Sequence, residues 1–429
     1  MSQRIRSSLG PSIIIAAAVV GTGELVIAPR LGASVGLSAL WLIILGCLIK
    51  VFIQEELGRH TILTGETTLE AFNRVPGRIG PMSWAVWCWL PLLFGGTLSM
   101  GGVLAGVVQS LDLLHAPLQG WVLASIITLT TGAVLVAGHY GFIEKSCGLM
   151  VAGFTAMTII ALVLLQGTEF KVSFDQILGG LQFKMPEHGF ADAVAVFGVT
   201  GIGTSELVFY AYWCLEKGYA SDLTAGVPRD PAVLKARIRG MRLDISVALL
   251  VYTFATIAFF ILGATILHGA KEVPKGLDMV RTLSQMYTKT FGDWVFYLFA
   301  AGASIVCYST FFVAMATWSR MIADNLRLIS KDRTNFHPRR ATNWTLGVLS
   351  VVYLVLFVSF KQTPQWLIVS GAAIQTLTLP VFAIAVLIIR RQRQDQFRPG
   401  RWYNYVLYLS VTVITCAALY SVWGLIPKK

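Results

Sequence analysis

One hexapeptide occurs twice in this chain, each time inside an apolar run. The first copy is Gly21-Thr22-Gly23-Glu24-Leu25-Val26. The second, 182 positions later, is Gly203-Thr204-Ser205-Glu206-Leu207-Val208, so five of the six residues agree. Each copy is a small, helix-weakening stretch ending in a glutamate. A carboxylate near the middle of a bilayer costs about 2.5–3.5 kcal/mol on insertion scales, so it persists where something answers it. Open backbone at that depth is tolerated only where it lines a protein cavity. Two interrupted helices at corresponding places in two halves point to a transporter's substrate site.

The flanking runs define the class. Eleven spans are expected, near 11–29, 37–58, 82–110, 119–137, 142–166, 190–214, 242–267, 293–317, 343–361, 365–390 and 402–425. Most reach the ~20 residues needed to cross the hydrocarbon layer. Charged residues make up 13% of the chain, against roughly 25% in a soluble domain, and they fall between the runs. The chain is therefore expected to be an all-α integral membrane protein surrounded by lipid. The net charge of +12 is assigned to orienting loops, with no nucleic-acid partner. Arg4 and Arg6 lead directly into the segment carrying Glu24, so that segment is expected to be retained and not cleaved.

With the first hexapeptide in span 1 and the second in span 6, the chain divides into two five-span repeats, 11–166 and 190–390, plus an extra helix, 402–425. Five is odd, so the repeats insert with opposite orientation. A pseudo-twofold axis in the membrane plane then brings broken helices 1 and 6 together. Glu24 and Glu206 face one cavity in that arrangement, with Gly21, Thr22, Gly23, Gly203, Thr204 and Ser205 supplying opened backbone and hydroxyls. Lys50, near the middle of span 2, is a possible charge partner of either glutamate; the alternative is that it snorkels or pairs with Glu55 or Asp244. The six histidines fall at or beyond span ends, where solvated histidines are common, and the six cysteines are scattered singly. No nucleophile–base pair, phosphate loop or zinc spacing stands out, so neither an enzyme nor a cofactor is expected. Residues 277–287 have apolar positions at helical spacing and are expected to form a short helix, either packed in the loop or on the membrane surface.

Several patches, in order along the chain, resemble the NRAMP (natural resistance-associated macrophage protein) family of divalent-metal transporters. They are Gly10-Pro11 through Pro29; Leu57-Gly58-Arg59 with Thr64-Gly65 and Leu69-Glu70; Tyr140 with Glu144-Lys145; and Leu377-Thr378-Leu379-Pro380. The resemblance implies a LeuT-type fold with two inverted five-helix repeats. The chain is similar to a divergent member, because the usual metal-binding motifs are missing. Where the family's first helix has Asp-Pro-Gly-Asn, this chain has Gly21 to Glu24. Where the sixth helix has Met-Pro-His, it has Gly203-Thr204-Ser205. Span 3 lacks the family's acidic residues between Leu92 and Ser110, and the family's tenth-helix glutamine aligns with Ala372.

What remains is an anionic, all-oxygen site, with Glu24 and Glu206 as the expected metal ligands. Oxygen ligands suit hard cations such as Mg²⁺ or Mn²⁺, and loss of the methionine sulfur removes a soft ligand. The expectation is a secondary-active transporter of a divalent metal cation, in a bacterial inner membrane. The alternatives are transport of an organic solute on the same scaffold and a transport-inactive membrane sensor. Inner segments and span ends hold 23 lysines and arginines against 10 outside, which puts the N-terminus in the cytoplasm and the C-terminus outside. A reporter active only in the cytoplasm, fused after Lys429, is expected to be silent; a bright signal means an even number of passes.

Overall fold

The computed structural model describes residues 10–425 except Thr22, Ala116, His139, 185–192, 194–195, Val199, 225–229, 269–278, 331–335, 361–363, 394–396 and Arg398. The elements in chain order are α1 (Pro11–Val19), a π-helical turn (Gly23–Ile27), α2 (Ala28–Val35), α3 (Leu40–Thr64), α4 (Thr68–Phe72), a hairpin of β1 (Arg78–Ile79) and β2 (Met82–Ser83), α5 (Trp84–Trp87), α6 (Trp89–Leu113), α7 (Gly120–Ala137), α8 (Tyr140–Leu165) and α9 (Phe174–Gly180). There follow α10 (Thr204–Glu216), α11 (Ser221–Thr224), α12 (Pro231–Leu262), a second π-helical turn (Gly263–Leu267), α13 (Met279–Phe291), α14 (Val295–Ile329), α15 (Pro338–Phe360), α16 (Pro364–Gln392) and α17 (Arg401–Leu425). In the hairpin, Arg78 pairs with Ser83 and Ile79 with Met82, antiparallel.

Among the described residues, nine stretches are long and apolar enough to cross a membrane, and one of them, Pro11–Thr64, contains the first two passes. The sixth pass enters through helical residues 196–198 and leaves through α10. The exterior fits a lipid solvent. Along α8, Leu149, Ile160, Val163 and Leu164 are exposed while Ile143, Cys147, Val151 and Phe154 are buried. Apolar residues on both faces of a helix are expected where one face meets protein and the other meets hydrocarbon. The chain is thus an integral membrane protein.

Helix starts follow ordinary capping chemistry. Asp230 caps α12 by accepting from the Ala232 amide at 2.8 Å, with Pro231 at the first helical position. The cap of α1 comes from elsewhere in the chain. Asp244, fully buried on α12, accepts from the Gly10 and Ser12 amides at 2.7 and 2.8 Å. A carboxylate there answers amides that the first turn leaves free and suits the positive end of the helix. At the end of the molecule rich in basic loops, Glu56 lies among Arg59, Arg390 and Arg393. Arg327 joins Glu70 and Asp324, and Asp324 also accepts from Thr67 and Tyr212. These pairs tie α3, α4, α10, α14 and α16 together on one side.

Two expectations are refined here. The helix expected over 277–287 is α13; it is a packed helix, not a surface one, since Leu283 and Tyr287 are fully buried and Tyr287 meets Thr158 at 3.2 Å; residues 277–278 lie outside the described residues. The histidines are not uniformly solvated: His60 is 4% exposed against Glu66, and His268 lies 2.8 Å from the Ala33 carbonyl. His139 and His188 fall outside the described residues.

Small residues set the closest helix contacts, as in membrane proteins generally. α2 packs backbone to backbone on the second π-helical turn: a Cβ on Gly263 would lie 2.4 Å from the Pro29 carbonyl oxygen, and one on Gly32 would lie 2.5 Å from that of Phe260. Gly263→Ala is expected to destabilise by about 1–3 kcal/mol, the usual cost of overpacking. Gly347 on α15 faces open space. There Gly→Ala is expected to be neutral or to stabilise by up to ~1 kcal/mol. Thermal unfolding of the two variants side by side checks this; equal behaviour would remove the close-approach argument.

Candidate substrate site at the two helix breaks

Helix one is interrupted where the first hexapeptide begins. α1 ends at Val19, the Gly21 amide turns back onto the Val19 carbonyl at 2.7 Å, and the π-helical turn opens at Gly23. Wider turns of this kind recur at functional sites because they displace backbone groups from the regular ladder. Glu24 sits in that turn, 1% exposed. Its carboxylate accepts from the Gly201 amide at 3.3 Å, and the Thr256 hydroxyl lies within hydrogen-bonding reach. Thr22 lies outside the described residues.

Helix six is interrupted between residues 198 and 204. Gly201 has φ of +64°, and a Cβ there would lie 2.8 Å from the α-carbon of Cys47 on α3, so both backbone angle and space require glycine. α10 restarts at Thr204, with Gly203 as its extended N-cap residue. The Thr204 hydroxyl donates to the Gln375 carbonyl at 2.8 Å. The Ser205 amide and hydroxyl meet Oε1 of Gln375 at 3.2 and 2.9 Å, and that hydroxyl is also 2.9 Å from the Glu206 carboxylate. Glu206 thus stands in the first turn of α10, the end of a helix that favours negative charge.

Lys50 meets this break in a way neither sequence alternative foresaw. Its ammonium, fully buried, donates to the carbonyls of Phe197, Gly198 and Thr200 at 2.8, 3.4 and 2.7 Å. It makes no direct ion pair with Glu24 or Glu206 among the described residues, although both carboxylates act on it electrostatically. It does not snorkel. The two other proposed partners are engaged elsewhere: Glu55 accepts from Arg242 at 2.6 Å, and Asp244 caps α1. The correction has a physical reason. Carbonyls released at the end of a broken helix attract a cation as a carboxylate does, and they are closer.

The arrangement gathers groups from five segments. Glu24 reaches Gly201, and Glu206 stands beside Gly203, where a Cβ would lie 2.4 Å from its Oε2 and 2.5 Å from Oε1 of Gln375. The two carboxylates therefore approach opposite ends of one three-residue segment, with Lys50 below it. The glycines at 21 and 203 leave no vacancy: a Cβ on Gly21 would lie 1.6 Å from the Thr310 hydroxyl. Among the described residues no group of three His, Cys, Asp or Glu side chains is placed to hold a metal. The set of donors is instead two carboxylates, hydroxyls and an amide. Gln375 and Thr310 were missed from sequence. Sequence set the family's tenth-helix glutamine against Ala372 and gave no role to Gln375, whose amide meets Ser205 at the break; its signal was a lone amide in an otherwise apolar and hydroxylated run, Gly371 to Pro380.

Comparison with known proteins agrees with this fold. A family model described as "Natural resistance-associated macrophage protein-like" matches residues 12–424. An uncharacterized protein of Pasteurella multocida (strain Pm70) is 22% identical, over 83% of this chain and 82% of its own. A histidine-to-alanine mutant of the Eremococcus coleocola manganese transporter superposes with a TM-score of 0.70 at 14% identity, covering 99% of this chain and 88% of that one. MhsT in complex with L-phenylalanine gives 0.58 at 14%, covering 95% and 98%. Mhp1, a nucleobase-cation-symport-1 family transporter with bromovinylhydantoin bound, gives 0.60 at 17%, covering 96% and 91%. At these identities the superpositions establish the fold, an all-helical LeuT-type architecture with helices one and six interrupted.

Removing the amide tests the cluster. Gln375→Leu leaves the Ser205 amide without its acceptor and is expected to cost about 1–3 kcal/mol, the usual penalty for an orphaned buried polar group. Gln375→Asn retains an amide oxygen and is expected to cost less. Thermal unfolding that ranks the two the other way would break the assignment.

Proposed function

Because the chain belongs to the natural resistance-associated macrophage protein-like family, we propose that it is a secondary-active membrane transporter of a divalent metal cation, working by alternating access. The observation that carries this is the approach of two carboxylates, buried Glu24 and half-buried Glu206, one from each interrupted helix, to the same short segment Gly201–Gly203. One protein that shares this fold is the Eremococcus coleocola manganese transporter. Glu24 and Glu206 are the proposed cation ligands, with Ser205 and Gln375 completing an oxygen-only set and Gly21, Gly23, Gly203 and Thr204 shaping the breaks. Oxygen donors favour Mg²⁺ or Mn²⁺ over softer metals. The proposed repeats are 11–166 and 190–390, with 402–425 appended. The proposed setting is a bacterial inner membrane with the N-terminus inside.

A second reading, an organic solute as cargo, is favoured by one specific observation. Lys50 brings positive charge against the two glutamates, which lowers the pull on a divalent ion and leaves a site of mixed polarity. Mhp1 and MhsT carry organic ligands on this fold.

Calorimetric titration of the detergent-purified protein with MnCl₂ and MgCl₂ decides between them. Saturable heat is expected, weakened at least about tenfold by Glu206→Gln and by Glu24→Gln, since a charge-assisted contact of ~1.4 kcal/mol or more is lost in each. Absence of heat with both salts, alongside stabilisation by an organic solute in a thermal screen, would replace the metal reading with the second one.

A further inference from the structure

The end of the first half of helix six is built as a cation seat. Three carbonyl oxygens, those of Phe197, Gly198 and Thr200, converge on one point inside the protein. The Phe197 ring adds its face, with its centroid 5.6 Å from the Lys50 nitrogen. Glu24 and Glu206 stand at the same break, against Gly201 and Gly203. Carbonyl oxygens arranged around a point replace the hydration shell of an alkali cation, and half-helix ends of this kind coordinate coupling ions in transporters with interrupted helices.

Here the seat holds the protein's own ammonium. Lys50 lies mid-way along α3 and is fully buried. An ammonium has three N–H donors, and each of its three has a carbonyl within 3.4 Å. None is left over for a cargo, so Lys50 is a positioning residue and not a ligand. We propose that Lys50 is a tethered cation that fills the seat a free monovalent cation would otherwise take, so that this chain works without sodium or potassium bound there. The consequence for the driving ion rests on the transporter reading; the seat itself does not.

The test uses the full-length protein in detergent and reads thermal unfolding by tryptophan fluorescence. Sodium, potassium and methylammonium chloride are each compared with choline chloride at equal ionic strength. The wild-type transition is expected to be the same in all four salts. In Lys50→Ala the transition falls, and methylammonium, which returns an ammonium to the vacated space, restores it saturably, as a ligand that binds only the folded form does. Lys50→Met keeps the bulk without the charge; it is expected to fall and not to be restored. Saturable stabilisation of the wild type by sodium or potassium would overturn the proposal. So would a Lys50→Ala variant that no cation restores. If Lys50→Ala does not fold, Lys50→Arg serves: a folded protein indifferent to the salt supports the seat, and one stabilised by sodium overturns it. Where uptake into proteoliposomes is measured, equal rates in sodium and choline are expected. Absence of any uptake, with the salt-insensitivity intact, would remove the transport reading and leave the seat standing.

Discussion

Opening a helix at membrane depth leaves backbone groups that water cannot reach, and much of this structure answers that one demand. In hydrocarbon each unanswered group costs several kcal/mol. At the break in helix six the answers come from three different helices or turns. Lys50 on α3 takes the carbonyls, Glu24 in the first π-helical turn takes the Gly201 amide, and Gln375 on α16 takes the Ser205 amide and the Thr204 hydroxyl. The break is therefore held by the same side chains that give the region its charge. Architecture and electrostatics are not separable there, and a substitution that alters one alters the other.

The basic end of the molecule follows a different logic. Sequence reads its arginines as orienting charges, and the structure shows them also as fasteners. Glu56, 1% exposed, is shared among three arginines on α3, on α16 and just beyond its end. Removing one partner from such a cluster leaves buried charge uncompensated, so these contacts resist piecemeal change. A helix that moves at this end has to exchange this set of partners as a unit.

Much of the fold was legible because hydropathy and helix-breaking residues report directly on passes and breaks. The doubled hexapeptide located both interruptions, and α10 begins inside its second copy. The misses have physical causes. α12 starts eleven residues before its expected span, and α14 runs twelve residues past its own, because hydropathy marks the hydrocarbon layer while a helix continues into water. The partner of Lys50 was not legible: sequence pairs charge with charge, and a backbone carbonyl has no residue type. Gln375 was missed because the reading of the tenth helix rested on a short patch that set the family's glutamine against Ala372, and a single turn shifts which residue faces the break. His60 was read as solvated from its position at a span end, yet the Glu66 that covers it lies just beyond the helix.

The space in front of Gly21 limits what position 21 can carry. The room a side chain would need there is filled by the hydroxyl of Thr310 from α14. Gly203 is closed in the same way by Glu206 and Gln375. An aspartate at 21 would overfill that space for as long as Thr310 stands there, so position 310 has to become small before position 21 can carry a side chain.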